Sequence, residues 1–267
     1  MDWSKIKTIF ILTFLVLNIY LMYEFFKLKD STSQYEFIVE PSFDKRLKAD
    51  EIQYDELPKN YQKDNYLSAK PKNFTSDEGL DDPKLKGQQV TVNDGLVLAA
   101  TLDKPYELSD KLDTSEINAF VKNHVLYGDQ YRFWGKDENK ITYYQKFKDK
   151  VFYKNISGEL TIWLNTENND IVSYQQTMLE NIEERSEKEK IIQPLKAIET
   201  LYEKGALKPK SKITKVELGY VTFVHTGTSQ VLTPAWRFVI NDEENLFVHA
   251  IEGQIMQLNN EEKKIVE

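Results

Sequence analysis

The 267-residue chain contains no cysteine. This excludes disulfides, thiol nucleophiles, cysteine-ligated zinc and a lipidated-cysteine anchor. Histidine is scarce, with only His124, His225 and His249. His225 and His249 could meet on adjacent strands with Glu252 near, but no third metal ligand accompanies them. No glycine-rich phosphate loop, serine nucleophile elbow or His-Glu-x-x-His helix is present. Positive charge is also short: the formal net charge is -8, and residues 1–29 carry +2, leaving -10 on the remainder. Nucleic-acid binders need a basic face, so nucleic acid is excluded, as are polyanionic wall polymers as preferred ligands. Glu180, Glu183, Glu184, Glu187 and Glu189 cluster, but at a helix start they read as a solvated, dipole-favoured turn. The sequence therefore nominates no catalytic, cofactor-binding or metal-ligating residue, and is read as a non-enzyme without a cofactor.

What the chain does have is one long apolar run. Residues 8–23 are sixteen positions without a charge, inside the stretch 6–26. A helix rises about 1.5 Å per residue, so the run with its flanks crosses a hydrocarbon core of roughly 30 Å. No small-residue cleavage site follows it, which argues for a retained anchor over a cleaved signal peptide. It is apolar on every face, which favours lipid over a protein core. Lysines flank both ends nearly equally. The short N-terminal tail and the long polar remainder predict a single-pass cell-membrane protein with a cytoplasmic N-terminus and an extracellular C-terminal part. Two polar residues interrupt the run, Thr13 and Asn18. Phe10, Phe14, Asn18, Leu21 and Phe25 share one face at helical spacing. An Asn in lipid seeks a partner, and an interhelical hydrogen bond there is worth about 0.6–2 kcal/mol. The other reading of Asn18 is a snorkelling residue near the interface.

Beyond the anchor the expected fold class is α+β: two tandem units, each a helix on an antiparallel sheet. The expected boundaries are 1–29 for tail and anchor, 30–180 for a first extracellular unit with an N-terminal elaboration, 181–260 for a second, and 261–267 for a frayed tail. Residues 89–102 read as a hairpin about Asp94-Gly95, a pair suited to positive φ. Thr114 or Ser115 caps a helix that Gly128 ends. Alternating strands follow through residue 178. A second helix is predicted over 183–204, although Pro194 must either kink it or sit in its first turn. Strands then cover 212–225, 231–240, 245–252 and 254–258. Residues 151–163 align with 224–236, Trp163 over Trp236, and the same offset relates the two helices, which suggests a repeat.

Ten aromatics fall between Tyr127 and Trp163. Adjacent pairs such as Tyr143-Tyr144 and Phe152-Tyr153 cannot share a strand face. One face is thus expected in the core, and some rings outside it. An exposed row would suit a Tyr- and Trp-rich protein interface or stacking on cell-wall sugars. An anchored extracellular glycan-binding module is accordingly the alternative function.

The opening Met1-Asp2-Trp3-Ser4-Lys5-Ile6-Lys7, continuing to Leu17-Asn18, resembles the start of the YycI proteins of low-GC Gram-positive bacteria. Leu232-Thr233-Pro234-Ala235-Trp236-Arg237-Phe238 and the later Phe247-Val248-His249-Ala250 are similar to the C-terminal part of the YycI and YycH family. The resemblance implies a regulator of a two-component system that controls cell-wall metabolism. Its implied partners are the WalK (YycG) sensor histidine kinase, met through transmembrane helices, and YycH, met through the exported domains. Carried onto this chain, Trp3, Lys5, Lys7, Phe10, Phe14, Asn18 and, from the stripe, Leu21 would form the membrane contact. Pro234, Ala235 and Trp236 match a structural motif.

Overall fold

A computed structural model describes residues 3–32, 42–59, 62–109, 113–226 and 228–258. The expected tail 261–267 lies outside the described residues, as do residues 33–41. The chain divides into two compact units, residues 1–46 and 47–267.

The first unit is dominated by α1 (Trp3–Thr32), which carries the apolar run and has neither Pro nor Gly to break it. Helix α2 (Phe43–Ala49) begins after Ser42, whose carbonyl accepts from the Lys45 and Arg46 amides at 2.8 and 3.1 Å.

The second unit is α+β, as expected. In chain order it contains β1 (Gln53–Tyr54), β2 (Lys63–Pro71), β3 (Gln88–Asn93), β4 (Val97–Tyr106), α3 (Thr114–His124), β5 (Tyr131–Asp137), β6 (Lys140–Phe147) and β7 (Lys150–Val151). There follow β8 (Glu159–Leu164), β9 (Ile171–Gln176), β10 (Leu179–Lys190), α4 (Pro194–Glu203), β11 (Lys212–Thr226), β12 (Ser229–Ile240), β13 (Glu244–His249) and β14 (Ile255–Met256). One antiparallel sheet runs β3-β4-β9-β8-β6-β5, with β7 paired to β6. The other runs β1-β11-β12-β13-β14, with β2 beside β12 and β10 outside β2. The N-terminal strand β2 therefore sits in the sheet built from the C-terminal strands.

The hairpin between β3 and β4 turns on Asp94 and Gly95, with φ of 49° and 73°. That conformation is what the Asp-Gly pair supplies cheaply. Helix α3 is capped one residue earlier than expected, by Asp113, whose carboxylate accepts from the Ser115 amide at 3.0 Å. Its apolar stripe, Ile117, Phe120 and Val121, packs on the first sheet against Leu98, Ile141, Tyr143, Leu160 and Tyr174. Gly128 does not end the helix through its own conformation; the left-handed residue is Tyr127, with φ 54°. Gly128 is required because a Cβ there would lie 1.8 Å from the Val121 carbonyl oxygen.

The helix expected over 183–204 is only its second half. Residues Glu183, Glu184 and Arg185 ladder with Ser68, Leu67 and Tyr66 of β2. The helix starts at Pro194 with Gln193 as its N-cap residue. Proline lacks the N–H and clashes with the carbonyl four residues back, so it can only open a helix here. The glutamate cluster is thus strand, not a helix N-terminus, and its charge blunts a long sheet edge.

The Trp163-on-Trp236 alignment also yields to the structure. After α3, Trp163 lies on the third long strand, β8; after α4, Trp236 lies on the second, β12. The order of helix then antiparallel strands recurs, but not strand by strand.

The expectation of exposed aromatics beside 143–153 is overturned. Tyr143 faces the core under α3, while Tyr144 joins Tyr153, Val221, Ala235 and Phe247 in a separate cluster. Phe152 packs in a third, with Tyr220 and Leu232. Neighbouring residues do point to opposite faces, but both faces are covered, because β7 and the residues after it run along β11. The Tyr153 amide donates to the Tyr220 carbonyl at 2.8 Å and stitches the two sheets together.

Candidate functional site

Among the described residues, one helix is long and apolar enough to cross a membrane, Ile6–Lys27, and none of that window is buried within the chain. Phe14 and Asn18 lie together on it, in a shallow groove lined also by Ile11, Leu15, Ile19 and Met22. Phe10 sits one turn before Phe14, and Leu21 one turn after Asn18. Trp3 stands two turns before Phe10 on the same side, 5.7 Å from the Lys7 ammonium. Phe10 and Phe14 are 66% and 61% exposed among the described residues.

Thr13 and Asn18, within the apolar run, behave differently. The Thr13 hydroxyl donates to the Ile9 carbonyl at 2.8 Å, one turn back. It is satisfied within the helix and needs no neighbour. Asn18 carries two donors and an acceptor on its side-chain amide. Its side chain makes no hydrogen bond among the described residues. An amide held at lipid depth stays costly until a second helix supplies the bonds.

In the second unit Pro234, Ala235 and Trp236 are buried in β12. Proline is rare in a central strand because it cannot donate to the ladder. Here Pro234 falls between the β2 partners of β12, which end at Leu232, and the β13 partners, which begin at Ala235. Its opposite residue, Tyr220, turns its carbonyl away to Tyr153, so no N–H is missed. The Trp236 indole donates to the Ile192 carbonyl at 2.9 Å, just ahead of α4. These three residues build the sheet.

His225 and His249 are not on adjacent strands. They flank β12 from opposite sides, His225 opposite Gln230 and His249 opposite Ala235. No group of three His, Asp or Glu side chains able to hold a metal converges among the described residues. His249 instead organises a turn: its Nδ1 accepts from the Ile251 and Glu252 amides at 3.2 and 3.0 Å. The proton is therefore on Nε2, which donates to Thr233 Oγ1 at 2.8 Å. Burial pushes its pKa below the ordinary value, against the opposing pull of Glu252 and Glu189. A depressed folded-state value means that the unfolded chain binds the proton first as pH falls. Stability from this group is therefore full above about pH 6.5 and falls towards the lower folded-state pKa, by at most about 1.4 kcal/mol per pH unit. Thermal unfolding at pH 7.5 and 5.5 is expected to show this loss. His249→Asn, which keeps an acceptor near the turn, is expected to flatten it.

Sequence reasoning missed two long-range constellations. Glu217 gathers Arg132 at 2.7 Å, Lys215 at 3.1 Å and Arg237 at 3.1 Å. Burial pushes its carboxyl up, but the Lys215 hydrogen bond and the surrounding cations outweigh that and hold it below the usual range. Arg237 lies 4.2 Å from the centre of the Trp134 ring. Asp64, itself buried, binds Lys150 and Tyr220. No spacing in the chain announces either set, since apart from Lys215, two residues from Glu217, the partners are 20 to 156 residues apart.

The architecture is that of a protein with one membrane-length helix and an α+β body whose described residues gather no catalytic constellation. More particularly, the chain belongs to the YycI family: the family's sequence model, described as YycI protein, matches residues 32–251. The matched span contains the Pro-Ala-Trp strand and begins only at the end of α1. Membership gives the chain a role in the regulatory system of the WalK (YycG) kinase and its response regulator. A comparison with curated proteins found no match. Among solved structures, the chain is similar to an uncharacterized protein from Eubacterium rectale ATCC 33656, at 9% identity and a TM-score of 0.49, over 79% of this chain and 92% of that one. It is also similar to the C-terminal domain of YpeB from Bacillus megaterium, at 13% identity and a TM-score of 0.42, over 72% and 88%.

Proposed function

We propose that this chain modulates the WalK (YycG) sensor kinase through the α1 face bearing Trp3, Phe10, Phe14, Asn18 and Leu21, acting with YycH through the second unit. The observation that carries the reading is Asn18, an amide within the membrane-length apolar helix that has no hydrogen-bond partner among the described residues. In this reading the N-terminus is cytoplasmic and the acidic body extracellular. A kinase with two signalling states responds to α1 only if the helix binds one state better, with about 1.4 kcal/mol needed per tenfold bias. An interhelical hydrogen bond from Asn18 formed in one state alone is of that size. The glycan-binding alternative has less support, because Tyr143, Tyr144, Phe152 and Tyr153, the adjacent pairs that suggested it, are all buried.

The test is in-cell crosslinking from a photoreactive residue placed in turn at Phe10, Phe14, Asn18 and Leu21. Capture of the kinase at these positions, and not from the opposite side of α1, is the expected result. Capture of no kinase at any of them, with the protein inserted, would overturn the membrane mechanism. Capture of YycH from positions on the second unit is the expected companion result.

A further inference from the structure

Among the described residues, three strands longer than two residues pair on one side only: β3, β5 and β10. An open edge is a template for another chain, and proteins blunt such edges with charge or bulges. Strand β10 carries eight charged residues among its twelve. Strand β5 carries Arg132, Lys136 and Asp137, and a bulge at residues 133–135. Strand β3 has neither. Its sequence, Gln88-Gln89-Val90-Thr91-Val92-Asn93, is uncharged, and its register with β4 is unbroken.

The free groups of β3 can be placed. The Gly87 carbonyl accepts from the Asp103 amide at 3.0 Å, which fixes the alternation of the antiparallel pair. Gln89, Thr91 and Asn93 then turn their backbone groups to β4, and Gln88, Val90 and Val92 turn theirs out of the sheet. None of those outward groups makes another backbone hydrogen bond among the described residues. The side chains of Gln89, Thr91 and Asn93 are exposed, while Val90 and Val92 half-bury against the α3 core.

We propose that β3 is a strand-addition site for a second copy of this chain, the two β3 strands pairing antiparallel about a two-fold axis through Val90. In that register Gln88 faces Val92 of the copy, and every outward N–H meets an outward C=O. The flanks favour self-pairing: Lys86, exposed before the strand, comes opposite Asp94, exposed after it, twice by symmetry. A parallel arrangement would set like charge against like. The valines of the two copies would extend one continuous apolar face. Six residues of edge pairing bury less than the roughly 1,600 Å² of a standard interface, so the contact is weak between free molecules. Anchoring both copies in one membrane raises their effective concentration, and supplies what the small area lacks.

The chain has no native cysteine, so single cysteines report cleanly. Full-length chains carrying Gln89→Cys, Thr91→Cys or Asn93→Cys would be treated in their membrane with a short bismaleimide, beside Glu187→Cys on β10. The expected result is a dimer of this chain from β3 cysteines, strongest at positions 89 and 91, which flank the axis equally, weaker at 93, and none from β10. Val90→Pro, added to Thr91→Cys, removes an outward N–H that β4 does not use, so the fold should keep its melting temperature while dimer yield drops by about tenfold. Lys86→Glu should weaken the crosslink without changing its position. The absence of dimer from all three β3 positions would overturn the proposal. So would a yield indifferent to Val90→Pro in a folded protein, or an adduct containing a different protein in place of the second copy.

Discussion

Replacing Trp236 with Ala is expected to destabilise the second unit by about 3–5 kcal/mol, the range for deleting a large aromatic from a core that relaxes only in part. Trp236 is fully buried and is the largest such side chain among the described residues. It stands between Leu218 of β11 and Val248 of β13 in the ladder, so a cavity there lies in the middle of the sheet. It also holds the Ile192 carbonyl at 2.9 Å, and removal leaves that acceptor buried without its donor. Trp236→Phe separates the two effects. It retains most of the ring volume but not the N–H, and is expected to cost about 1–3 kcal/mol for the orphaned carbonyl. Urea unfolding of the full chain in detergent, followed by circular dichroism, measures both. A loss for Trp236→Ala no larger than that for Trp236→Phe would mean that the sheet closes over the cavity, and that the hydrogen bond is the main term. Because Ile192 leads directly into α4, the first local change expected is faster amide exchange at the start of that helix.

The features legible in the sequence were those set by short-range rules. The charge-free run gave α1, the Asp94-Gly95 pair gave the β3–β4 hairpin, and period-two alternation marked the run of strands after α3 up to residue 178. Pro194 also spoke correctly, since its missing N–H limits where a helix can start, and it outweighed the helix-favouring Glu and Lys residues before it. Those residues became β10 because β2 offers a ladder from 108 to 127 positions away, and no local pattern records that offer. The same blindness explains the aromatics. Alternation showed that Tyr143 and Tyr144 face opposite ways, but only the pairing of residues 152–153 with β11 shows that both ways lead inward. At the candidate membrane site, spacing identified the face of Asn18. The contrast with Thr13 needed geometry, because a hydroxyl reaches the carbonyl one turn back and the Asn18 amide does not.

The second large effect is expected at Asp64. Asp64→Ala should cost about 3–5 kcal/mol, the usual penalty for removing one member of a buried ion pair. The carboxylate is 3% exposed, as a residue, and takes three donors: Lys150 Nζ at 2.6 Å, the Tyr220 hydroxyl at 2.9 Å and the Asn65 amide at 3.0 Å. These donors come from β7, β11 and β2, so one side chain ties the hairpin that joins the sheets to two strands of the second sheet. Lys150 retains some contact with water, its side chain being 23% exposed, and this holds the penalty towards the lower end. Tyr220 does not have that escape, because its ring is packed against Phe152, with the centroids 6.0 Å apart. Asp64→Asn preserves an acceptor for Tyr220 and Asn65 but loses the charge, and should fall between wild type and Asp64→Ala. The pairing is tested by a double-mutant cycle with Lys150→Met. If the ion pair carries the effect, Asp64→Ala in the Lys150→Met background should cost less than it does alone, by about 1 kcal/mol or more. Strict additivity would instead assign the loss to the Tyr220 and Asn65 hydrogen bonds. In either case the joint between the sheets should open before the α3 core, so exchange at residues 150–153 and 219–221 should rise while residues 117–121 stay protected.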